Sequence, residues 1–150
     1  MMPIIEGDDN FEAKTLEALY LIQYKSSENY NMVIKYVGRI KQGQQSGMAA
    51  YENPPTYYVG KATYSSKRDW YASTIVHDAY HSKLYHDYIQ SHGWVPNDIW
   101  TGEKAEYACL EIQISFLEEI QADIQLITSA KSFRKSRWWE DQFKEKYGHW

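Results

Sequence analysis

Residues 70–88 read WYASTIVHDAYHSKLYHDY, and no proline or glycine interrupts them. Just ahead of this stretch, Ser65 and Ser66 offer hydroxyls that can cap the first turn of a helix. We therefore predict one long helix here. Because an α-helix turns about 100° per residue, His77 and His81 project from the same face, one turn apart. Two imidazoles in this arrangement can bind a metal ion.

The face that carries the two histidines is largely apolar. Trp70, Leu84 and Tyr85 share it, within about 80° of His77 on a helical wheel. Buried imidazoles cost free energy unless their nitrogens are hydrogen-bonded or bound to a metal. A divalent metal ion would satisfy the pair, and so would ordinary hydrogen bonds to neighbouring tyrosines. The residues of this face leave both interpretations open.

The composition excludes several classes of protein. The 150 residues carry a net charge of −4 with acidic and basic residues interspersed, so the chain lacks the basic surface of a nucleic-acid-binding protein. Cys109 is the single cysteine, which excludes an internal disulfide framework and a cysteine-rich zinc module. No run of about 18 apolar residues predicts a membrane span. The first residues have neither a basic region nor a long apolar run, so we expect a cytoplasmic protein. The sequence leaves the oligomeric state open.

The chain before the histidine helix is predicted to begin with helices and to end with a β-hairpin. Hydrophobic periodicity, cap residues and breaks at glycine and proline predict the following segments: a loose arm over residues 1–9, a helix from the Asp8–Asn10 cap to about Tyr24, a second helix from Ser26 or Ser27 through Ile40, a strand over 48–51, a turn over 52–55 and a strand over 56–64. Residues 32–37 also fit a strand.

The chain after the histidine helix is predicted to be helical. We expect a loop over residues 93–102, a helix over about 103–127 with Thr101 as its cap, a basic connector over 131–137 and an amphipathic helix over 138–147. Together these segments predict an α+β fold. It is a mostly helical single domain spanning residues 1–150, with a small β-hairpin or sheet before the central helix.

A carboxylate on the second long helix is the candidate for a third metal ligand. A zinc site needs at least three protein ligands. On a helical wheel, the widened apolar arc of this helix includes Glu106, whereas Glu111 falls on the polar side. A carboxylate directed at a core is rare unless it is paired or bound to a metal. Glu106 is therefore the predicted ligand, and Glu103, at the edge of the arc, is the second choice.

The two helices together resemble a known family. Residues 76–81, VHDAYH, followed by residues 102–108, GEKAEYA, are similar to the zincin-like metallopeptidases. They are most similar to the gluzincins, in which a glutamate from a downstream helix completes the HExxH zinc site. The resemblance covers roughly residues 56–122 and implies a zincin-like domain in which the strand over 56–64 is the edge strand that borders the substrate cleft. It also implies that Asp78, one methylene shorter than the usual glutamate, is the general base.

These residues predict a zinc-dependent hydrolase, most simply a metallopeptidase that acts on a peptide or protein through a metal-activated water. His77, His81 and Glu106 would hold Zn²⁺. Asp78 would accept a proton from the water, and Tyr85, close in phase to the histidines, would donate a hydrogen bond to the transition state. The alternative is a non-catalytic, zincin-like protein-interaction domain, for which 14 tyrosines and 6 tryptophans supply binding surface.

Cys109 has two interpretations. It lies on the apolar arc of the second long helix, which is typical of a small buried hydrophobic residue. The alternative is a cysteine nucleophile paired with His77 or His81.

Overall fold

The computed structural model describes residues 1–136 and has the predicted α+β fold, in which helices dominate. The elements in chain order are β1 Ile4–Glu6, α1 Asp9–Lys25, α2 Ser27–Tyr36, β2 Arg39–Gln42, β3 Gly47–Ala49, β4 Thr56–Val59, α3 Lys61–Tyr64, α4 Arg68–His92, α5 Asn97–Trp100, α6 Gly102–Glu119 and α7 Ile124–Ser136. Helix α4 contains the histidine motif, and α6 is the second long helix of the sequence analysis.

The small sheet supports the first half of α4. Its strand order is β1-β2-β4-β3, with β3 antiparallel to β4 and the other pairs parallel. Ile40 of β2 pairs with Tyr57 of β4, and both side chains are fully buried in the core that the sheet shares with the helices. The Tyr57 hydroxyl donates to Thr74 Oγ1 of α4 at 2.9 Å. This bond links the centre of the sheet to the helix that carries the histidines.

Two predictions for the N-terminal region are wrong. Residues 1–9 are not a loose arm, because Ile4–Glu6 pairs in parallel with β2. The second helix stops at Tyr36, and Ile40 lies in a strand whose backbone is bonded to neighbours on both sides. Apolar spacing along the chain cannot reveal such pairing, since the partners come from distant segments. The predicted N-cap is confirmed, because Asp8 accepts from the backbone N–H of Phe11 at 2.8 Å.

The strand predicted over residues 56–64 is shorter than expected, and it is not the edge strand that the gluzincin resemblance implies, because β4 pairs with β2 on one side and β3 on the other. It ends at Val59, and the short helix α3 follows over Lys61–Tyr64. At the junction the backbone N–H of Gly60 donates to Ser46 Oγ at 2.9 Å instead of continuing the ladder. The antiparallel hairpin of β3 and β4 is confirmed, although its first strand is Gly47–Ala49 rather than 48–51.

Helix α4 begins later than its predicted cap. Lys67 is the N-cap and Arg68 is the first helical residue, so neither Ser65 nor Ser66 occupies the cap position. Ser66 Oγ instead donates to the carbonyl of Thr63 at 2.5 Å. The serine hydroxyl therefore completes the turn after α3, and α4 starts without a side-chain cap.

The helix predicted over residues 103–127 is two helices. Helix α6 ends at Glu119, and Gln121 adopts a left-handed φ of 57°, which breaks the helix before α7. The prediction of a basic connector over 131–137 is wrong for residues 131–136, because they are helical and belong to α7. Residue 137 lies outside the described residues. The helix predicted over 138–147 lies outside the described residues.

Helix α4 is surrounded by α1, α2 and α6. Between Tyr71 and Ser82 nearly every residue is buried, including the polar ones. Buried polar side chains need partners inside the protein, and the partners of the two histidines come from α5 and α6. Within residues 1–136, no helix has both the length and the apolar character needed to cross a membrane.

Candidate metal centre

The two histidines of α4 face a carboxylate on α6, as the helical phases predict. His77, His81 and Glu106 are 0%, 3% and 1% exposed. Glu106 Oε1 lies 3.0 Å from His77 Nε2 and 3.2 Å from His81 Nε2. The structure therefore brings together the three residues that the sequence singles out as metal ligands.

A chain of hydrogen bonds determines which nitrogen of His77 carries a hydrogen. Ser73 Oγ donates to the carbonyl of Trp70 at 2.7 Å, and it accepts from Gln113 Nε2 at 2.9 Å. The amide of Gln113 is thereby oriented with Oε1 toward His77 Nδ1, at 2.8 Å. Because an amide oxygen only accepts, Nδ1 carries the hydrogen. The neutral ring then presents the lone pair of Nε2 to Glu106.

His81 has the same tautomer for a simpler reason. Its Nδ1 lies 2.6 Å from the backbone carbonyl of Trp100. A carbonyl can only accept, so Nδ1 is the donor and Nε2 presents its lone pair. Trp100 ends α5, a short helix inside the segment predicted as a loop over residues 93–102. Histidine ligands are usually oriented in this way, by a second hydrogen bond from the nitrogen that does not bind the metal.

Three lone pairs thus converge, and they repel one another unless a cation lies between them. A proton can supply that charge. Burial lowers the pKa of His77, and the hydrogen bond and charge of Glu106 oppose it only in part. Burial by itself also lowers the pKa of His81, but Cys109 and Glu106 outweigh it and hold this pKa well above 6.5. In the absence of metal, His81 therefore holds an added proton more readily than His77 does.

A divalent metal ion is the other cation that fits. Tetrahedral zinc binds nitrogen and oxygen at about 2.0–2.2 Å, which places adjacent ligand atoms about 3.3–3.6 Å apart. The separations of 3.0 and 3.2 Å from Glu106 Oε1 to the two histidines are a few tenths of an ångström shorter than that range. The same distances also fit ordinary hydrogen bonds, so the three side chains could hold either a proton or a metal ion.

Cys109 joins the cluster from α6, three residues after Glu106. Its Sγ and one ring nitrogen of each of His77 and His81 all lie within 4.8 Å of one another, so these three residues could also hold a metal. Cys109 is fully buried, and burial raises the pKa of its thiol to about 11 against the opposing effect of His81. The sequence does not identify Cys109 as a ligand, although its spacing from Glu106 places both on one helix face.

Asp78, the predicted general base, lies between the cluster and the sheet. Burial is the main reason that the pKa of the Tyr57 phenol is well above its usual value, and the charge of Asp78 and a hydrogen bond to it add to the effect. Asp78 also acts on the pKa of His77, where it opposes the larger effect of burial. The fully buried carboxylate is therefore near the ligands but makes contact with β4.

Tyr85, the predicted transition-state donor, packs against the short helix α5. Its half-buried ring packs edge-on against Trp100, with ring centroids 5.2 Å apart. It thus contacts the residue whose carbonyl orients His81. The other acids considered for the third ligand, Glu103 and Glu111, are exposed on α6.

No protein-family model matches this chain, and neither a curated protein nor a solved structure does. The resemblance to the gluzincins therefore stays a prediction from the two motifs. What the chain does has to be argued from the geometry of its own residues.

Proposed function

We propose that the protein binds one zinc ion through His77, His81 and Glu106 and that it is a zinc-dependent hydrolase. The observation that carries the proposal is the pair of tautomers: both rings donate from Nδ1 and direct Nε2 at one carboxylate oxygen. Two histidines and a glutamate are the ligand set of several catalytic zinc sites, whereas structural zinc sites are rich in cysteine. The donor set therefore supports a catalytic role.

The ion would supply Lewis-acid chemistry, polarising a carbonyl and lowering the pKa of water. The residues of this chain would do the rest. Asp78, next to His77 in α4, would accept the proton of the attacking water. Tyr85 would donate a hydrogen bond to the developing oxyanion. The gluzincin resemblance is the basis for proposing a peptide or protein as the substrate. The composition of the first residues is the basis for proposing a cytoplasmic location.

The buried ligands also favour a second candidate function. With the three ligand side chains at most 3% exposed, substrate has little direct access to them. In this candidate the protein keeps the metal and presents its surface aromatics, such as Tyr24 and Trp94, to a protein partner. Both candidates share the metal and differ in hydrolysis.

Elemental analysis of protein purified without a His tag measures how much zinc is bound per chain. We expect about one zinc per chain, and we expect Glu106→Gln to lose it. Glu103→Gln is the matched control, because Glu103 is an exposed acid one turn earlier on the same helix. Absence of zinc after reconstitution, or equal loss in both variants, would contradict the proposal. A peptide-library cleavage assay with and without chelator then separates the hydrolase from the interaction domain.

A further inference from the structure

The sulfur of Cys109 lies close to the two histidines that are proposed to hold zinc. It comes from the same face of α6 as Glu106, and it is within 4.8 Å of a ring nitrogen of both His77 and His81. A hydrogen bond also connects it to the imidazole of His81. A cysteine that only filled space in a core would face apolar side chains, whereas this one faces two imidazoles.

We propose that Cys109 binds the same ion as His77, His81 and Glu106, which closes its coordination sphere. This inference rests on the zinc site proposed above. A tetrahedral ion with a sulfur bond of about 2.3 Å and nitrogen bonds of about 2.0–2.1 Å places sulfur and nitrogen about 3.5 Å apart. The sulfur and one ring nitrogen of each histidine already lie within 4.8 Å of one another, so coordination requires them to approach by at most about 1.3 Å.

Coordination by Cys109 changes the state of its thiol. The S–H bond breaks, the proton passes to solvent, and the sulfur binds as thiolate. The cost of removing a proton from this buried thiol is met by the charge of the ion, as at other cysteine–zinc sites. The soft sulfur also favours zinc or cobalt over magnesium or calcium, which prefer oxygen ligands.

A closed site has a direct consequence for the hydrolase. Catalytic zinc sites have three protein ligands and leave the fourth position to water or substrate. In this chain Cys109 would occupy that position, so the resting protein would be inhibited by its own thiolate. Activity would require the sulfur to leave the ion, and a variant without the sulfur would be more active.

Cobalt substitution of the full-length protein tests the inference. Because Cys109 is the single cysteine, any sulfur-to-cobalt charge-transfer band in the near ultraviolet reports this residue. We expect the band in the Co²⁺-loaded wild type and its complete loss in Cys109→Ala. We also expect the variant to keep one metal ion through the other three ligands, with weaker affinity, and to hydrolyse peptides at least about tenfold faster than the wild type.

X-ray absorption at the zinc edge gives a second measurement that needs no variant. We expect one sulfur scatterer at about 2.3 Å in the wild type, so the inference stays testable if Cys109→Ala does not fold. Bound metal with only nitrogen and oxygen scatterers would overturn the inference and leave the zinc site of His77, His81 and Glu106 intact. Failure of the wild type to bind zinc or cobalt at all would overturn both proposals.

Discussion

Helix α4 can be divided after His81 into a first half, residues 68–81, and a second half, residues 82–92, which carry two histidines each, and only the first pair converges on a carboxylate. In the first half, His77 and His81 are buried, and their Nε2 atoms converge on Glu106. In the second half, His86 Nε2 bonds to the carbonyl of Ala50. His92 is exposed and bonds through Nδ1 to a carbonyl of its own helix.

The difference teaches what a histidine needs in order to be a ligand. His86 uses Nε2 to satisfy a backbone acceptor, so that nitrogen carries a hydrogen and has no lone pair to offer. His77 and His81 donate from Nδ1 instead, and their Nε2 atoms face Glu106 Oε1. The tautomer separates His86 from the buried pair, whereas His92, which also bonds through Nδ1, differs from that pair because it is exposed.

The largest expected effect is the loss of metal from the first half. His77→Ala removes a ligand and should reduce zinc from about one ion per chain to nearly none, with a fall in melting temperature because metal-binding free energy also stabilises the fold. His86→Ala, the matched change in the second half, should keep the metal. Plasma emission spectrometry on dialysed protein measures both. If the two variants lose metal equally, the distinction between the two halves is wrong.

The second effect concerns the acids that follow these histidines. Asp78→Asn should lower hydrolysis by about 10²–10⁴-fold while zinc content stays unchanged, because it removes a general base and no ligand. Asp78→Glu, the longer acid, should keep or raise activity. Asp87→Asn is the control in the second half, and it should leave peptide cleavage unchanged. Loss of zinc in Asp78→Asn, with zinc retained in Glu106→Gln, would reverse the roles of the two acids.

A smaller effect is expected from the amide that orients His77. Gln113→Leu removes the acceptor of His77 Nδ1, so the tautomer is no longer fixed and zinc affinity should fall by about 10–100-fold. Gln113→Glu keeps an acceptor and should retain most of the affinity. Competition with a chromophoric chelator gives both dissociation constants. An affinity in Gln113→Leu equal to wild type would show that the tautomer does not prepare the site.

The smallest effect is expected in the second half, at the pair of Lys83 and Asp87. Partial burial raises the pKa of Asp87, but the hydrogen bonds from Lys83 and Tyr36 outweigh it and hold this pKa below 3.8. Since the folded-state pKa is the lower one, the stabilisation is present above the unfolded-state value and is lost as the pH falls through the folded-state value. Both side chains are exposed by more than a third, so the pair contributes little.

Asp87→Asn should therefore lower the free energy of unfolding at pH 7 by less than about 1 kcal/mol. The difference from wild type should disappear in acid, once Asp87 is protonated in both the folded and the unfolded state. Urea denaturation at neutral pH and in acid measures this. A difference that persists unchanged in acid would mean that Asp87 acts through packing and not through its charge.

The centre of the molecule could be predicted from the sequence because it depends on helical phase. The spacing of His77 and His81, and the position of Glu106 within an apolar arc, follow from about 100° per residue alone. Gln113 and Cys109 share that arc, and phase shows that they point inward. Phase does not show which atoms they meet across the interface, so their contacts with the two histidines emerge only when α4 and α6 are docked.

The sheet and the helix ends could not be predicted in the same way. Strand β1 exists because Ile5 pairs with Ile40, and nothing in the first nine residues indicates this partner. The end of α6 depends on Gln121 in a left-handed conformation, which a glutamine rarely adopts. Such features are set by contacts between distant segments, whereas periodicity reports only local ones.

The separation of the ligands along the chain has a further consequence. His77 and Glu106 are 29 residues apart, so an ion bound to both would cross-link the chain and close a loop that contains the end of α4, all of α5 and the start of α6. A cross-link of this span reduces the entropy of the unfolded chain by an amount worth about 3–4 kcal/mol if it persists there. The metal would then act as a reversible staple, and its removal would first release the segment around Trp100.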